Sequence, residues 1–316
     1  MALLVAVDLG ATHTRVGLIE SNGTIRKKVI APTPHEGSAP TIIPDFLITL
    51  IRSLGGDEPQ RIQGIGISAA GPVDTSGGML INPPNIPFRH IPLTTPLESA
   101  LNVPVYIAND CHAGVIGEAL YGGVLGKKNI AYITISTGIG GGIIANGRLL
   151  LGKQGNAAEI GHFSVDTVYH LICGCGHAGH WEGYASGRFI PQFFRTWCKA
   201  RGYPLKEESF LSAEKIFRMA RDGDTQALGF MEDLGRINAR GTSNVVVAYD
   251  PEVIVFDGSV ITRNADLLLP VIEEHIDRFL PPPLLQLTTL GGDAPLLGAS
   301  VIAQGYETPL GSLRLK

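Results

Sequence analysis

The chain has 316 residues, 44% of them hydrophobic, enough for a large core and for two lobes. A formal net charge of −4, with no block of Lys or Arg, argues against a nucleic-acid polyanion as the main partner. No stretch approaches the ~20 apolar residues of a membrane span. The N-terminal run, broken by Asp8, lacks the basic start and cleavage site of a signal peptide, so a cytoplasmic location is expected.

In chain order, strands are expected at Leu3 to Asp8, Thr14 to Glu20 and, after the Asn22-Gly23 turn, Ile25 to Ala31. Apolar residues at Ile43, Phe46, Leu47, Leu50, Ile51 and Leu54 predict a helix over 41–54. Strands follow at 64–68 and 105–108, then a helix from Cys111 to Tyr121 and a strand at 129–135. Beyond residue 150 helical spacing dominates, over 187–198, 212–221 and 224–249, with Asp250-Pro251 as the stop. A buried strand at 253–256, a helix over 266–279 and a C-terminal helix starting near Gly298 complete the reading. Alternation of strands and helices favours an α/β class, and strand-rich openings near residues 3 and 130 suggest two duplicated lobes.

The most informative stretch is Ser136-Thr137-Gly138-Ile139-Gly140-Gly141-Gly142, between two apolar runs. Glycines here allow close approach of a ligand and positive φ, and successive amides in such a turn form a nest for an anion such as phosphate. Asp8-Leu9-Gly10-Ala11-Thr12 offers a second turn, whose carboxylate suits Mg²⁺ and whose hydroxyl suits a phosphoryl oxygen. Asn109-Asp110 stands between a strand and a helix, where an isolated pair reads as a helix cap. Cys173 and Cys175, one residue apart among glycines, suggest metal ligation rather than a disulfide, while Cys111 and Cys198 read as buried thiols.

Taken together and in order, these motifs resemble those of the ROK family of sugar kinases and repressors, within the actin-like ATPase (ribonuclease H-like) fold. The resemblance implies a two-lobed α/β fold with the active site in the interlobe cleft. Residues 1–110, with a C-terminal helix of about 299–316, would form the small lobe and residues 111–298 the large one. It assigns Mg²⁺ to Asp8 and phosphate binding to Gly10, Thr12, Thr137, Gly138 and Gly140, with Gly258 on the adenosine side. Asp110 becomes the general base, and Asn85, Asn109, Glu159, His162 and Glu182 become sugar ligands alongside it. ATP, Mg²⁺ and a structural Zn²⁺ are the implied cofactors, a homodimer the implied assembly.

The chain departs from the family pattern at three points. Ala11 replaces a glycine, a small change. The adenosine-side Gly-Gly-Gly reads Asp257-Gly258-Ser259, whose side chains restrict the backbone and bring a negative charge near the nucleotide. Where the family's zinc loop has a third cysteine, this chain has His180, so the expected ligands are His162, Cys173, Cys175 and His180, with His170 and His177 as competitors and a metal-free loop as the alternative. The expected activity is ATP-dependent phosphorylation of the 6-hydroxyl of glucose or a related hexose. N-acetylmannosamine, N-acetylglucosamine or fructose kinases are alternatives. A sugar sensor is the non-catalytic alternative, although a motif beginning at Asp8 leaves no room for a repressor's helix-turn-helix.

Overall fold

The computed structural model describes residues 3–37, 41–55, 62–83, 86–204 and 211–305. The chain divides into two compact units, one of Met1–Ile130, Gly142–Ala158 and Thr288–Lys316, the other of Ala131–Gly141 and Glu159–Leu287.

The first unit opens with β1 (Leu3–Leu9), β2 (His13–Glu20) and β3 (Ile25–Pro32), followed by α1 (Ile42–Gly55) and β4 (Ile62–Ala69). Three two-residue strands, β5 (Val73–Asp74), β6 (Met79–Leu80) and β7 (Ile91–Pro92), form a small sheet. Then come α2 (Thr94–Leu101), β8 (Val105–Asn109) and α3 (Asp110–Tyr121). The main sheet runs β3-β2-β1-β4-β8, antiparallel through β3, β2 and β1 and parallel from β1 to β4 and β8. Period-two alternation assigns its faces. Val5, Val7 and Leu9 pack with Ile43, Leu47 and Ile51 of α1, whereas Ala6 and Ile19 pack with Leu296, Leu297 and Ala299 near the C-terminus.

Those last residues lie on the final described helix of the chain. β9 (Ile130–Ile135), β10 (Ile139–Ala145) and β11 (Arg148–Leu149) follow α3, and β10 passes from the second unit to the first at Gly141/Gly142. The second unit continues with α4 (Glu182–Ala185), α5 (Ile190–Ala200), α6 (Ala213–Arg221), α7 (Thr225–Tyr249), β12 (Val253–Asp257), α8 (Ser259–Arg263), α9 (Ala265–His275) and β13 (Leu284–Leu287). The second large sheet has the order β11-β10-β9-β12-β13. Around α7 an aromatic cluster of Phe193, Phe194, Trp197 and Phe230 has ring centroids 5.0–6.3 Å apart, distances typical of edge-to-face and offset packing.

α10 (Ala294–Ile302) returns to the first unit and lies against α3. A Cβ at Gly298 would sit 1.8 Å from the Ala113 carbonyl oxygen, and one at Gly117 2.2 Å from that of Ala294, so glycine on each helix permits backbone contact. This contact groups α3 with the N-terminal segment, whereas the sequence division put residues 111–298 in the other lobe. The C-terminal helix begins at Ala294, four residues before Gly298, because Pro295 fits a first helical turn; residues 306–316 lie outside the described residues. The helix expected over 266–279 stops at His275, where Ile276 turns extended and Ser243 Oγ accepts the Asp277 N–H at 2.8 Å. Among the described residues, no helix is long and apolar enough to cross a membrane.

Candidate active site

Asp8 lies within β1, opposite Arg15 in the antiparallel register, and is buried. Arg15 Nη1 donates to Asp8 Oδ2 at 2.9 Å, and Ser68 Oγ lies 3.4 Å from Oδ1. Burial raises the Asp8 carboxyl above its ordinary range despite the Arg15 guanidinium, which pulls it down. The following turn is fixed by backbone bonds: the Gly10 N–H donates to the His13 carbonyl, and the Thr33 N–H to that of Thr12. Thr12 itself is exposed.

Asn109 caps α3. Its Oδ1 accepts the N–H groups of Cys111 at 2.8 Å and His112 at 3.4 Å, a contact worth about 1 kcal/mol to a helix start. Asp110 is the first residue of the helix, its Oδ1 2.9 Å from the Cys111 nitrogen, in the positive field of the helix N-terminus. The cap and the placed carboxylate therefore coexist. The Asn109 oxygen is committed to the backbone, leaving its amide NH₂ as the group available to a ligand. His112, two residues on, is almost fully buried and sits 3.2 Å from the Ala157 carbonyl oxygen; burial pushes its pKa down.

In the second unit the glycine run differs from a positive-φ nest. None of Gly138, Gly140, Gly141 and Gly142 has a positive φ, and β10 already begins at Ile139. The reason is steric rather than torsional: a Cβ at Gly142 would lie 2.1 Å from the Cys111 carbonyl oxygen and one at Gly138 2.7 Å from Glu182 Oε2. Two amides of the run are also used within the protein, Ser136 N–H to the Gly138 carbonyl and Ile139 N–H to Glu182 Oε2. Thr137 is the exposed residue at the tip.

Between Glu159 and His162 stands Gly161, where a Cβ would lie 2.2 Å from the Ile139 carbonyl oxygen. A 3₁₀ turn over Ile160–His162 carries His162 away from Glu159 by one turn. The Glu159 carboxyl, enclosed by protein although reached by solvent, is raised in pKa by desolvation; His162 opposes this and the Glu182 carboxylate adds to it. Glu182 begins α4, directly after Trp181, whose buried indole N–H donates to Asn238 Oδ1 at 2.9 Å.

His162, Cys173, Cys175 and His180 present one ligand atom each, all within 4.8 Å of one another. Nδ1 of His162 and His180 are 3.3 Å apart, Cys175 Sγ is 3.2 Å from His180 Nδ1, and Cys173 Sγ is 3.9 Å from His162 Nδ1. Zinc bonds of about 2.0–2.3 Å in a tetrahedron space their donors by roughly 3.3–3.8 Å, so this donor set has the right chemistry and nearly the right spacing. Gly176 and Gly179, both at positive φ, shape the loop. His177 stacks on His180 and lies 3.8 Å from Cys175 Sγ, outside the four-atom group, as is His170. Burial raises the Cys173 thiol to about 11, and desolvation lowers His180.

Asp257 does not point a charge toward solvent. It is 5% exposed, and its oxygens accept from the Tyr132 hydroxyl at 2.7 Å and the Gly258 N–H at 2.6 Å. Gly258, at φ 96°, packs its α-carbon against the Ile135 carbonyl. Sequence reading missed Tyr132, although a tyrosine on the buried face of a strand needs a hydroxyl partner. It also missed Arg15 as the partner of Asp8, which strand register would have supplied. Asn85 lies outside the described residues.

Two five-stranded sheets, each with a glycine-containing turn between its first two strands in sequence, are the architecture of sugar kinases with the actin-like ATPase fold. A ROK hexokinase from Thermus thermophilus superposes with a TM-score of 0.80 at 31% identity, covering 96% of this chain and 98% of that one. A ROK family glucokinase from Streptomyces griseus, solved with glucose and AMPPNP, gives 0.76 at 30% identity over 96% and 100%. A glucokinase from Aeropyrum pernix is 37% identical over 98% of each chain. Residues 4–306 match the ROK family, and the chain belongs to it.

Proposed function

We propose that the protein is an ATP-dependent glucokinase, transferring the γ-phosphoryl group of ATP to the 6-hydroxyl of glucose. Support comes from glucokinase relatives along nearly the whole chain together with one local observation, the placement of Asp110. Phosphoryl transfer to an alcohol needs positioning, neutralised charge and a group to take the hydroxyl proton. A carboxylate held at a strand end by a capped helix meets the last requirement.

Asn109 donates its amide N–H to the sugar, and Glu159, His162 and Glu182 orient its hydroxyls, with Asn85 as a further ligand. Carboxylates suit this task because a hexose presents several O–H donors. Gly10, Thr12, Thr137, Gly138 and Gly140 hold the phosphates, and Gly258 lies on the adenosine side. Mg²⁺, when bound with ATP, neutralises charge on the phosphoryl oxygens. Asp8, a buried carboxylate paired with Arg15, is the residue that would hold such a cation. The Cys₂His₂ cluster is a structural zinc site that fixes the loop preceding Glu182. With Asp257 bonded to Tyr132, the departure from glycine leaves ATP use intact. The same likeness carries the proposal of a cytoplasmic homodimer, tested for assembly by sedimentation.

A coupled ADP-release assay with glucose, mannose, fructose, N-acetylglucosamine and N-acetylmannosamine, each with ATP, tests the assignment. Glucose is expected to give the highest kcat/KM. A higher value for an acetamido sugar reassigns the substrate, and saturable sugar binding without ADP release makes the protein a sensor.

A further inference from the structure

The segment from Glu182 to Gly187 grips the glycine turn at both ends. The Gly187 N–H donates to the Ser136 carbonyl at 2.7 Å, and Glu182 Oε2 accepts the Ile139 N–H at 3.0 Å. Ser136 opens the turn and Ile139 begins the strand that leaves it. The grip is built on firm ground. Trp181 is fully buried, and a Cβ on Gly241 of α7 would fall 2.2 Å from its ring. The other carboxylate oxygen, Oε1, lies 3.7 Å from Cys173 Sγ. Gly138 leaves just enough room for this approach, since any Cβ would stand 2.7 Å from Oε2.

We infer that Glu182 is a positioning residue for the phosphate turn, holding the Ile139 amide with one oxygen while its remaining lone pairs serve a sugar hydroxyl. A carboxylate has about four lone-pair sites, so both roles fit one side chain. A hydrogen bond to an ionised acceptor is stronger than one between neutral groups, which suits a contact that must fix backbone. Because the same carboxylate meets turn and sugar, the affinities of the two substrates are linked through it, and linkage is reciprocal. The sugar half of this statement rests on the hexose-kinase reading; the grip on the turn does not.

The test is amide hydrogen exchange at Ile139 in the full chain without sugar or nucleotide, comparing the parent with Glu182→Ala and Glu182→Gln. The inference expects at least tenfold faster exchange at Ile139 in Glu182→Ala, with Glu182→Gln, which still offers an acceptor, closer to the parent. AMPPNP with Mg²⁺, titrated without sugar, is expected to bind several-fold more weakly to Glu182→Ala. Parent-like exchange and parent-like AMPPNP affinity in Glu182→Ala would overturn the inference and leave Glu182 as a sugar ligand alone. Should Glu182→Ala not fold, Gly138→Ala displaces the carboxylate while keeping it, and unchanged Ile139 exchange there overturns the inference equally. Exchange measured without ligands does not depend on which sugar is phosphorylated, so failure of the kinase assignment and failure of the grip are separate results.

Discussion

Asp110 and its neighbours show how one short stretch serves two demands. Asn109 turns its oxygen inward to the helix amides, and Asp110 keeps a carboxylate at the helix start. Asn in place of Asp110 retains an oxygen for the Cys111 N–H and removes only the basic group. Turnover of glucose by Asp110→Asn is therefore expected to fall by about 10²–10⁴-fold, the usual contribution of a general base, with the thermal midpoint lowered by no more than about 3 °C for the lost charge at the helix start. Steady-state kcat beside a melting curve checks both halves, and turnover within a few-fold of the parent would remove Asp110 from that role. His112 gives a second residue-scale expectation. Burial holds its folded-state pKa below the ordinary value near 6.5. Below that ordinary value the unfolded chain binds the proton that the folded chain resists, so stability is full above about pH 6.5 and declines as pH falls further. Urea unfolding at pH 7.5 and 5.0 should show this decline, and His112→Gln should lessen it. The place of Asp110 at the start of a capped helix was legible because its motif is local. The position of His112 was not, because its partner, the Ala157 carbonyl, is 45 residues away.

At the scale of elements, periodicity carried the reading where a segment has one wet and one dry face. The strands of the first sheet and the helices α1, α3, α6 and α7 fall within a few residues of expectation. It faltered where the fold overrides local pattern. α8 has only five residues and starts from a positive-φ glycine, and no helix was expected at Ser259–Arg263. β13 follows three prolines and is recognisable only through its parallel pairing with β12. The glycine run was read for close ligand approach and positive φ, whereas none of its glycines has positive φ, and Gly142 and Gly138 make room for Cys111 and Glu182. The Cys/His loop was the more readable element, since ligand types and spacing are written in sequence, and the four expected donors are the four that converge. If zinc holds them, the purified protein contains about one zinc per chain, and dialysis against a chelator lowers the thermal midpoint by several degrees, because a metal bound only by the folded chain stabilises it. Cys175→Ala should lose zinc without a chelator. Full stability of a zinc-free preparation would assign the cluster no structural role.

Across the whole molecule, the proposed chemistry is divided between the two units. Asp8, Thr12, Asn109 and Asp110 belong to the first, and the glycine turn, Glu159, His162 and Glu182 to the second. The chain crosses from one unit to the other four times, at residues 130/131, 141/142, 158/159 and 287/288; the second interrupts the glycine run and the third adjoins Glu159. Ala158, just before Glu159, holds φ at 66°, a conformation that costs a residue with a Cβ about 1 kcal/mol or more and so needs the surrounding structure to fix it. A sugar held by Glu159, His162 and Glu182, as proposed, binds the folded chain and not the unfolded one. At a glucose concentration of 100 times Kd this adds about 2.7 kcal/mol to the folded state. In a chain of this length that is a rise of several degrees in the thermal midpoint. A sugar that does not bind should leave the midpoint where it was. The dependence on concentration makes the prediction strict: the shift must grow with the logarithm of free glucose once Kd is passed, and Glu159→Ala must move that curve to higher glucose without changing its slope. A midpoint indifferent to glucose at millimolar concentration would remove glucose as the ligand, while leaving the family and the fold as they are.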